Sequence, residues 1–434
     1  MNSGTDLWKR AKQLIPGGSM LLSKRAEMFL PADWPAYFSR TYGCTVWDLD
    51  GNAFQDLSLM GVGTNILGYS YPSVDEAVMG TVKAGNLSTL NAPEEVYLAE
   101  ALIELHPWAG MARFARSGGE ICAVAVRIGR AASGKDKVAF CGYHGWHDWY
   151  LAANLSEDDS LDGHLLPGLE PNGVPRALVG TSLPFRFNDL DGLTALMDEN
   201  PDVGVIYMEV QRSDPPTPGF LEGVRALATK HGAVLIFDEC TSGFRRSLGG
   251  IHLHYGVEPD LATFGKTLGN GYAITAVIGR EEVMQAAQST FISSTFWTER
   301  IGATAALATL MAMQEENATE RVHEIGTSVQ HSWEKLGADS GLVVTTGGLP
   351  ALANFTIDGF DPLEVKTFIT TRMLDRGYLA SNSMYASIAH TDEVLEQYYA
   401  NLGEVFTEIA ALGPQGLGTT LPNGTAQAGF KRLT

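Results

Sequence analysis

The chain has 434 residues, 45% hydrophobic and 18% charged; at roughly 100–200 residues per domain that allows several buried cores and excludes a disordered chain. Thirty Lys and Arg stand against fifty Asp and Glu, a net charge of −20, and such a field argues against nucleic acid or a membrane surface as partner. The four cysteines (Cys44, Cys122, Cys141, Cys240) form no CxxC pair and no disulfide framework, and no run of about 18 apolar residues appears, so neither a metal site nor a membrane span is expected and a cytoplasmic location is the default.

In chain order, residues 1–18 read as an amphipathic helix stopped by Pro16-Gly17-Gly18, without the apolar core of a signal peptide. Residues 44–57 alternate around Asp50-Gly51, a hairpin pattern. Strand-like and helix-like segments then alternate. Residues 112–115 suit a strand, 120–132 a helix and 137–141 a strand. The run 203–210 (VGVIYMEV) is continuously apolar, as a strand covered on both faces requires. Residues 220–231 are helical up to Gly232, and AVLIF at 233–237 is another buried strand ending in Asp238-Glu239. Strands at 261–265 and 273–278 complete the pattern. This β/α alternation predicts an α/β fold with a mainly parallel sheet covered by helices. After about residue 300, helices at 303–316 and 320–336, strands at 342–346 and 352–357, and helices at 362–376 and 392–412 read as a smaller α+β domain. The segment after Gly413 is rich in Gly, Thr and Pro and reads as irregular. The expected division is therefore 1–58, contributing to the small domain, 59–302 as the large domain, and 303–434 as the C-terminal part of the small one.

Four places could carry chemistry. Asp238 directly follows a buried strand, and ligands in open α/β sheets bind beyond such strand ends. A solvated strand end or a helix cap explains it equally well. Lys266 lies in TFGKTLGNG, where glycines flank a lysine at a strand end; desolvation there would make its amine a usable nucleophile, and an exposed turn lysine is the competing reading. A P-loop is excluded, because the glycine it needs five positions before Gly265 is Asp260. Ser117-Gly118-Gly119 precedes a helix and could present backbone N–H groups to a phosphate, or be an ordinary capped turn. In Gly142-Tyr143-His144-Gly145-Trp146-His147 an aromatic at a strand end could stack on a planar ring, whereas the glycine-broken histidine spacing is poor metal geometry. A carboxylate, an amine, a phosphate cradle and a stacking ring at strand ends together are the parts that pyridoxal phosphate needs.

Ordered stretches carry a resemblance over nearly the whole chain: VWDLDGN at 46–52, RSGGE at 116–120, GYHG at 142–145, DECTSGFR at 238–245, Gly265-Lys266 and ASIAHT at 386–391. They resemble the class III pyridoxal-phosphate aminotransferases, especially the branch with glutamate-1-semialdehyde aminomutase. The resemblance implies a fold type I architecture, with Lys266 in Schiff-base linkage to the cofactor and shuttling the proton. Asp238 would pair with the pyridine nitrogen, Tyr143 stack on one ring face and Cys240 pack on the other. Ser117, Gly118 and Gly119 would hold the phosphate, reached from a second subunit by Thr295, so a homodimer with shared sites is implied. Glu209 matches a Glu-Pro motif near the substrate, and His144 and Trp146 are expected at the entrance. Lys24 and Arg25, in the stretch 17–25, and Arg245 are candidates for a substrate carboxylate.

The sequence departs from that pattern at Val210, where the family has proline, at Cys240, where valine is common, and at Gly119, where threonine or serine is usual. The expected reaction takes an amino group from glutamate to an aldehyde or ketone. The overall run is similar to the branch that aminates C8 of an 8-oxo-3,8-dideoxy-octulosonate, a sugar acid of lipopolysaccharide biosynthesis. Intramolecular transfer of the aminomutase type and non-catalytic cofactor binding are the alternatives.

Overall fold

A computed structural model of the chain describes residues 3–157, 159–164, 167–211 and 213–430. The chain divides into two compact units, Pro72–Thr319 and a second made of Met1–Tyr71 with Glu320–Thr434. The boundaries differ from the expected 58/59 and 302/303. The helix Arg300–Glu315 packs along the helices Pro72–Ala84 and Pro93–Leu105, which draws 303–319 into the larger unit. Residues 59–71 stay with the other unit, where Gly43 and Tyr69 exchange backbone hydrogen bonds.

The larger unit is built on seven strands: β1 Met111–Ala115, β2 Lys137–Cys141, β3 Ser182–Pro184, β4 Val203–Glu209, β5 Val234–Asp238, β6 Leu261–Phe264 and β7 Thr275–Gly279. Their spatial order is β1-β7-β6-β5-β4-β2-β3. Neighbours from β6 through to β3 are parallel, and β7 is antiparallel to both β1 and β6. Strands β4, β5 and β6 are buried along nearly every residue because helices cover both sheet faces, as their unbroken apolar runs predict. Strand β3 escaped the sequence reading. It is three residues long and ends in Pro184, which an edge position tolerates.

The helix Gly118–Ser133 sends Ile121, Cys122, Ala125, Ile128 and Gly129 into the core under the sheet. A Cβ on Gly129 would come 2.8 Å from Val205 Cγ2, so glycine lets this helix approach β4. The helix Phe220–His231 ends at Gly232 in the left-handed conformation, as the sequence predicts.

The other unit contains two sheets. In one, Phe38–Tyr42, Thr45–Asp48 and Ala53–Leu57 form an antiparallel meander, and Tyr378–Ala380 adds parallel to Ala53–Leu57. This pairing joins the N-terminal segment to the C-terminal one. The other sheet is the antiparallel set Val344–Gly347, Leu352–Ile357 and Ser383–Tyr385. The last helix, Asp392–Leu417, does not stop at 412: it bends at Gly413-Pro414 and resumes for one turn. Among the described residues no helix is long and apolar enough to cross a membrane.

Candidate active site

The C-terminal ends of β2, β4, β5 and β6 carry the chemistry-bearing residues, as the parallel part of the sheet dictates. Asp238 ends β5 and is 4% exposed. Its Oδ1 accepts the Cys240 N–H at 3.0 Å and the Thr263 hydroxyl at 3.3 Å. Its Oδ2 lies 2.7 Å from His144 Nδ1. Burial works to raise the Asp238 pKa, but the hydrogen bond and charge of His144, helped by the Cys240 N–H, bring it below the usual carboxylate range. The site therefore holds a buried anion at a strand end.

His144 is 1% exposed, so it does not line an entrance. It sits behind Asp238, stacked on Tyr207 with ring centroids 4.3 Å apart, and its Nε2 is 3.1 Å from the Cys141 carbonyl. The sequence pattern held the clue: a histidine next to the stacking tyrosine, after one strand, meets the acid that ends another. Trp146 is exposed.

Two glycines bring the loop after β2 close in. Gly142 has φ 112°, and a Cβ there would come 2.6 Å from Glu209 Oε2. Gly145 has φ 97°, and its Cβ would come 2.7 Å from the Gly119 Cα. Glu209, at the end of β4, accepts the Tyr143 backbone N–H at 3.2 Å, so it anchors the loop that carries Tyr143. Gly119 lies under the same loop. Its Cβ would come 2.8 Å from His147 Nδ1, which is the physical reason a threonine or serine has no room at this position.

Ser117 is the N-cap of the helix Gly118–Ser133, and its backbone N–H and that of Arg116 are both taken by the Glu120 carboxylate, at 2.9 and 3.1 Å. Gly118 has open space where a Cβ would be. The Arg116 guanidinium reaches the carbonyls of Trp297 and Glu299, both at 2.9 Å, and the Glu299 carboxylate at 2.8 Å. It thereby ties the turn Thr295–Thr298 to the phosphate-type turn. Thr295 itself is exposed.

Lys266 follows β6 with φ 45°, an uncommon conformation for a residue with a side chain. Its Nζ donates to Thr241 Oγ1 at 2.7 Å. Thr241 was not singled out from the sequence, although it sits three residues after Asp238 in a turn of otherwise recognisable pattern. Cys122 and Cys240 flank Asp238: the two sulfurs and an aspartate oxygen lie within 4.8 Å of one another. Cys122 is buried, and its thiol is 3.7 Å from Asp238 Oδ2. Both thiols are pushed up. For Cys122 the cause is burial first; for Cys240 burial and the Asp238 charge outweigh the lowering effect of the Cys122 thiol.

Arg245 does not stand ready for a substrate carboxylate. It is 1% exposed, and its Nε donates to the Thr241 carbonyl at 2.7 Å. Lys24 and Arg25 belong to the other unit, where Lys24 is exposed and the Arg25 guanidinium lies 5.6 Å from the Phe430 ring centroid.

Residues 31–388 match the family model of the class-III aminotransferases. The chain is 34% identical to the 3-aminobutyryl-CoA aminotransferase of Cloacimonas acidaminovorans (strain Evry) over 417 residues, covering 93% of this chain and 96% of that protein. It is 30% identical to the 2'-deamino-2'-hydroxyneamine transaminase of Streptomyces kanamyceticus over 381 residues, covering 86% of this chain and 92% of that one. The fold matches the FumI protein of Sphingopyxis sp. MTA144, solved with its PLP bound, at a TM-score of 0.85 and 23% identity, over 94% of this chain and 96% of that one. Neither curated relative is named for an octulosonate.

Proposed function

The chain belongs to the class-III aminotransferases, which are PLP-dependent enzymes, and we propose that it carries an amino group from glutamate to an aldehyde or ketone carbon that does not adjoin a carboxylate. The observation that carries the catalytic reading is the pair of neighbouring strand ends: β5 closes on the buried Asp238 anion, and β6 leads into Lys266. The residues present fit pyridoxal phosphate. A buried carboxylate suits a protonated pyridine nitrogen, and a helix N-terminus with open space at Gly118 suits a phosphate. When bound, the group supplies an electron sink for the carbon that gains or loses the amine.

The chain's own residues do the rest. Asp238 would keep a proton on the pyridine nitrogen, and His144 keeps Asp238 ionised. Lys266 would hold the cofactor covalently and move the proton to and from the reacting carbon. Tyr143 would pack on one ring face and Cys240 on the other. Ser117, Gly118 and Gly119 would hold the phosphate, and Glu209 keeps the Tyr143 loop in place. Lys24 and Arg25 remain candidates for a substrate carboxylate.

The acceptor class is supported by the two relatives described above, since neither is named for an α-amino acid. The oxidised C8 of an octulosonate is a carbonyl of the same broad class, and so is a 3-oxo thioester. A homodimer is supported by Phe291 and Phe296, 83% and 68% exposed on either side of the exposed Thr295. A reducing compartment is supported by the four cysteines, all of them free.

The visible spectrum of the holoenzyme tests the reading. Glutamate alone should abolish the band of the Lys266-linked cofactor, and 3-oxo thioesters or aldehyde sugar acids should restore it. Restoration only by acids whose sole carbonyl adjoins the carboxylate would overturn the acceptor class. Net turnover without any external donor would instead identify an aminomutase.

A further inference from the structure

Thr241 stands opposite Lys266 in a frame that leaves it little freedom. Its carbonyl is held by Arg245 Nε at 2.7 Å, and Arg245 is itself buried. Two residues on, the Gly243 N–H donates to the Glu239 carbonyl at 2.9 Å, closing the turn after β5. The Gly243 carbonyl accepts the hydroxyl of Thr267, the residue next to Lys266, at 3.0 Å. The turn after β5 is therefore braced within itself, and the bond from Thr267 to Gly243 staples it to the turn after β6 beside the contact between Lys266 Nζ and Thr241 Oγ1. The nearest acid in the turn, Glu239, is taken by His252 Nδ1 at 2.9 Å and by the Ser242 hydroxyl.

We propose that Thr241 is the positioning residue for the Lys266 amine, which its hydroxyl holds in place and keeps ready for proton transfer. The inference rests on the reading of Lys266 as the cofactor lysine. A hydroxyl suits this task better than a carboxylate. A carboxylate beside the amine would favour the ammonium form and disarm it as nucleophile and base. A hydroxyl accepts from the amine in either protonation state and can donate to the lone pair of the neutral form. The φ of 45° at Lys266 is consistent with a side chain whose direction is imposed by its surroundings.

The test uses the holoenzyme and the variants Thr241→Val and Thr241→Ser, with three readouts. Borohydride trapping of the cofactor on Lys266, read by mass, tests the underlying assignment. The midpoint pH of the cofactor's visible band and the single-turnover rate with glutamate test the positioning role. Trapping should survive in both variants. In Thr241→Val the midpoint should fall by about half a unit and the single-turnover rate by about fivefold to tenfold, the effect expected of one lost hydrogen bond, with KM for glutamate unchanged. Thr241→Ser should restore both. A Thr241→Val enzyme with an unchanged midpoint and a rate within twofold of the parent overturns the proposal while leaving Lys266 as the cofactor lysine. Failure to trap the cofactor on Lys266 in the parent enzyme overturns the functional reading itself, and this inference with it.

Discussion

Asp238 and His144 form a buried ion pair. His144 Nδ1 faces the Asp238 carboxylate at 2.7 Å and Nε2 faces the Cys141 carbonyl at 3.1 Å, and both of these groups can only accept. Only the imidazolium donates at both nitrogens. The pair therefore brings a negative charge to a strand end inside the core, compensated from behind, and leaves Asp238 able to face a protonated ring nitrogen.

Removing the cation should expose the cost of that arrangement. His144→Phe leaves Asp238 buried without its partner, and breaking such a pair costs about 3–5 kcal/mol. The urea midpoint of the variant should fall accordingly, and its amino-transfer rate should drop with it. A midpoint equal to that of the parent protein would mean that Asp238 is neutral in the fold.

Gly119 offers a sharper test of how the loop after β2 seats on the phosphate-type turn. Gly119→Thr places side-chain atoms where His147 now lies, since even a Cβ would be 2.8 Å from its Nδ1. Overpacking of this kind costs about 1–3 kcal/mol, and cofactor retention should weaken because the loop carries Tyr143. His147→Ala should relieve the clash, so the double variant should retain cofactor better than Gly119→Thr alone. If the two changes were simply additive, the loop would not be seated on Gly119.

Much of this was legible in the sequence, for physical reasons that differ by residue. Strands β4, β5 and β6 announce themselves as apolar runs because both faces are buried, and Asp238 and Lys266 are visible as the first polar residues beyond such runs. What the pattern hid is what three-dimensional closure creates. His144 looks like a surface loop residue until the loop folds back onto β5. Arg245 looks like a free cation until the turn buries it against the Thr241 carbonyl. Thr241 carries no local signal, because its role depends on a lysine 25 positions away. Strands of three residues, such as Tyr378–Ala380, are too short to show a period at all.

The link between Arg116 and Glu299 should matter for cofactor binding as well as stability. Arg116 holds two carbonyls and one carboxylate of the segment 297–299, and both side chains are mostly buried. Glu299 also caps the helix Arg300–Glu315 through the N–H groups of Ile301 and Gly302. Glu299→Ala removes a charged hydrogen bond and a helix cap, so a loss of about 2–3 kcal/mol is expected. Cofactor should be lost more readily on dialysis, because the Thr295 turn is no longer tied to Arg116. Glu299→Gln should keep the cap in part and fall between the two. Equal cofactor retention in all three proteins would show that this turn does not bear on the phosphate.

The remaining unit carries a pH dependence of its own. His390 is buried, donates from Nε2 to the Asp56 carbonyl at 2.9 Å and accepts the Ser387 N–H at Nδ1, 3.3 Å away. That pattern requires the neutral ring, and burial lowers its pKa to about 4, only partly offset by the Asp56 carbonyl. In the unfolded chain the same histidine titrates near 6.5. Below that pH the unfolded state binds a proton that the folded state refuses. Stability is therefore full above about pH 6.5, falls as the pH drops through the window from about 6.5 to about 4, and levels off below it. Between pH 7.5 and pH 5 the loss from this one residue should be about 2 kcal/mol. His106, in the larger unit, is lowered to about 4 by burial as well and acts in the same direction. Urea unfolding at the two pH values checks this. His390→Gln should be less stable than the parent at pH 7.5 and should lose less on going to pH 5. A loss on going to pH 5 that is the same in His390→Gln as in the parent would show that His390 is already protonated in the fold, and the hydrogen bond from the Ser387 N–H to its Nδ1 would then be absent.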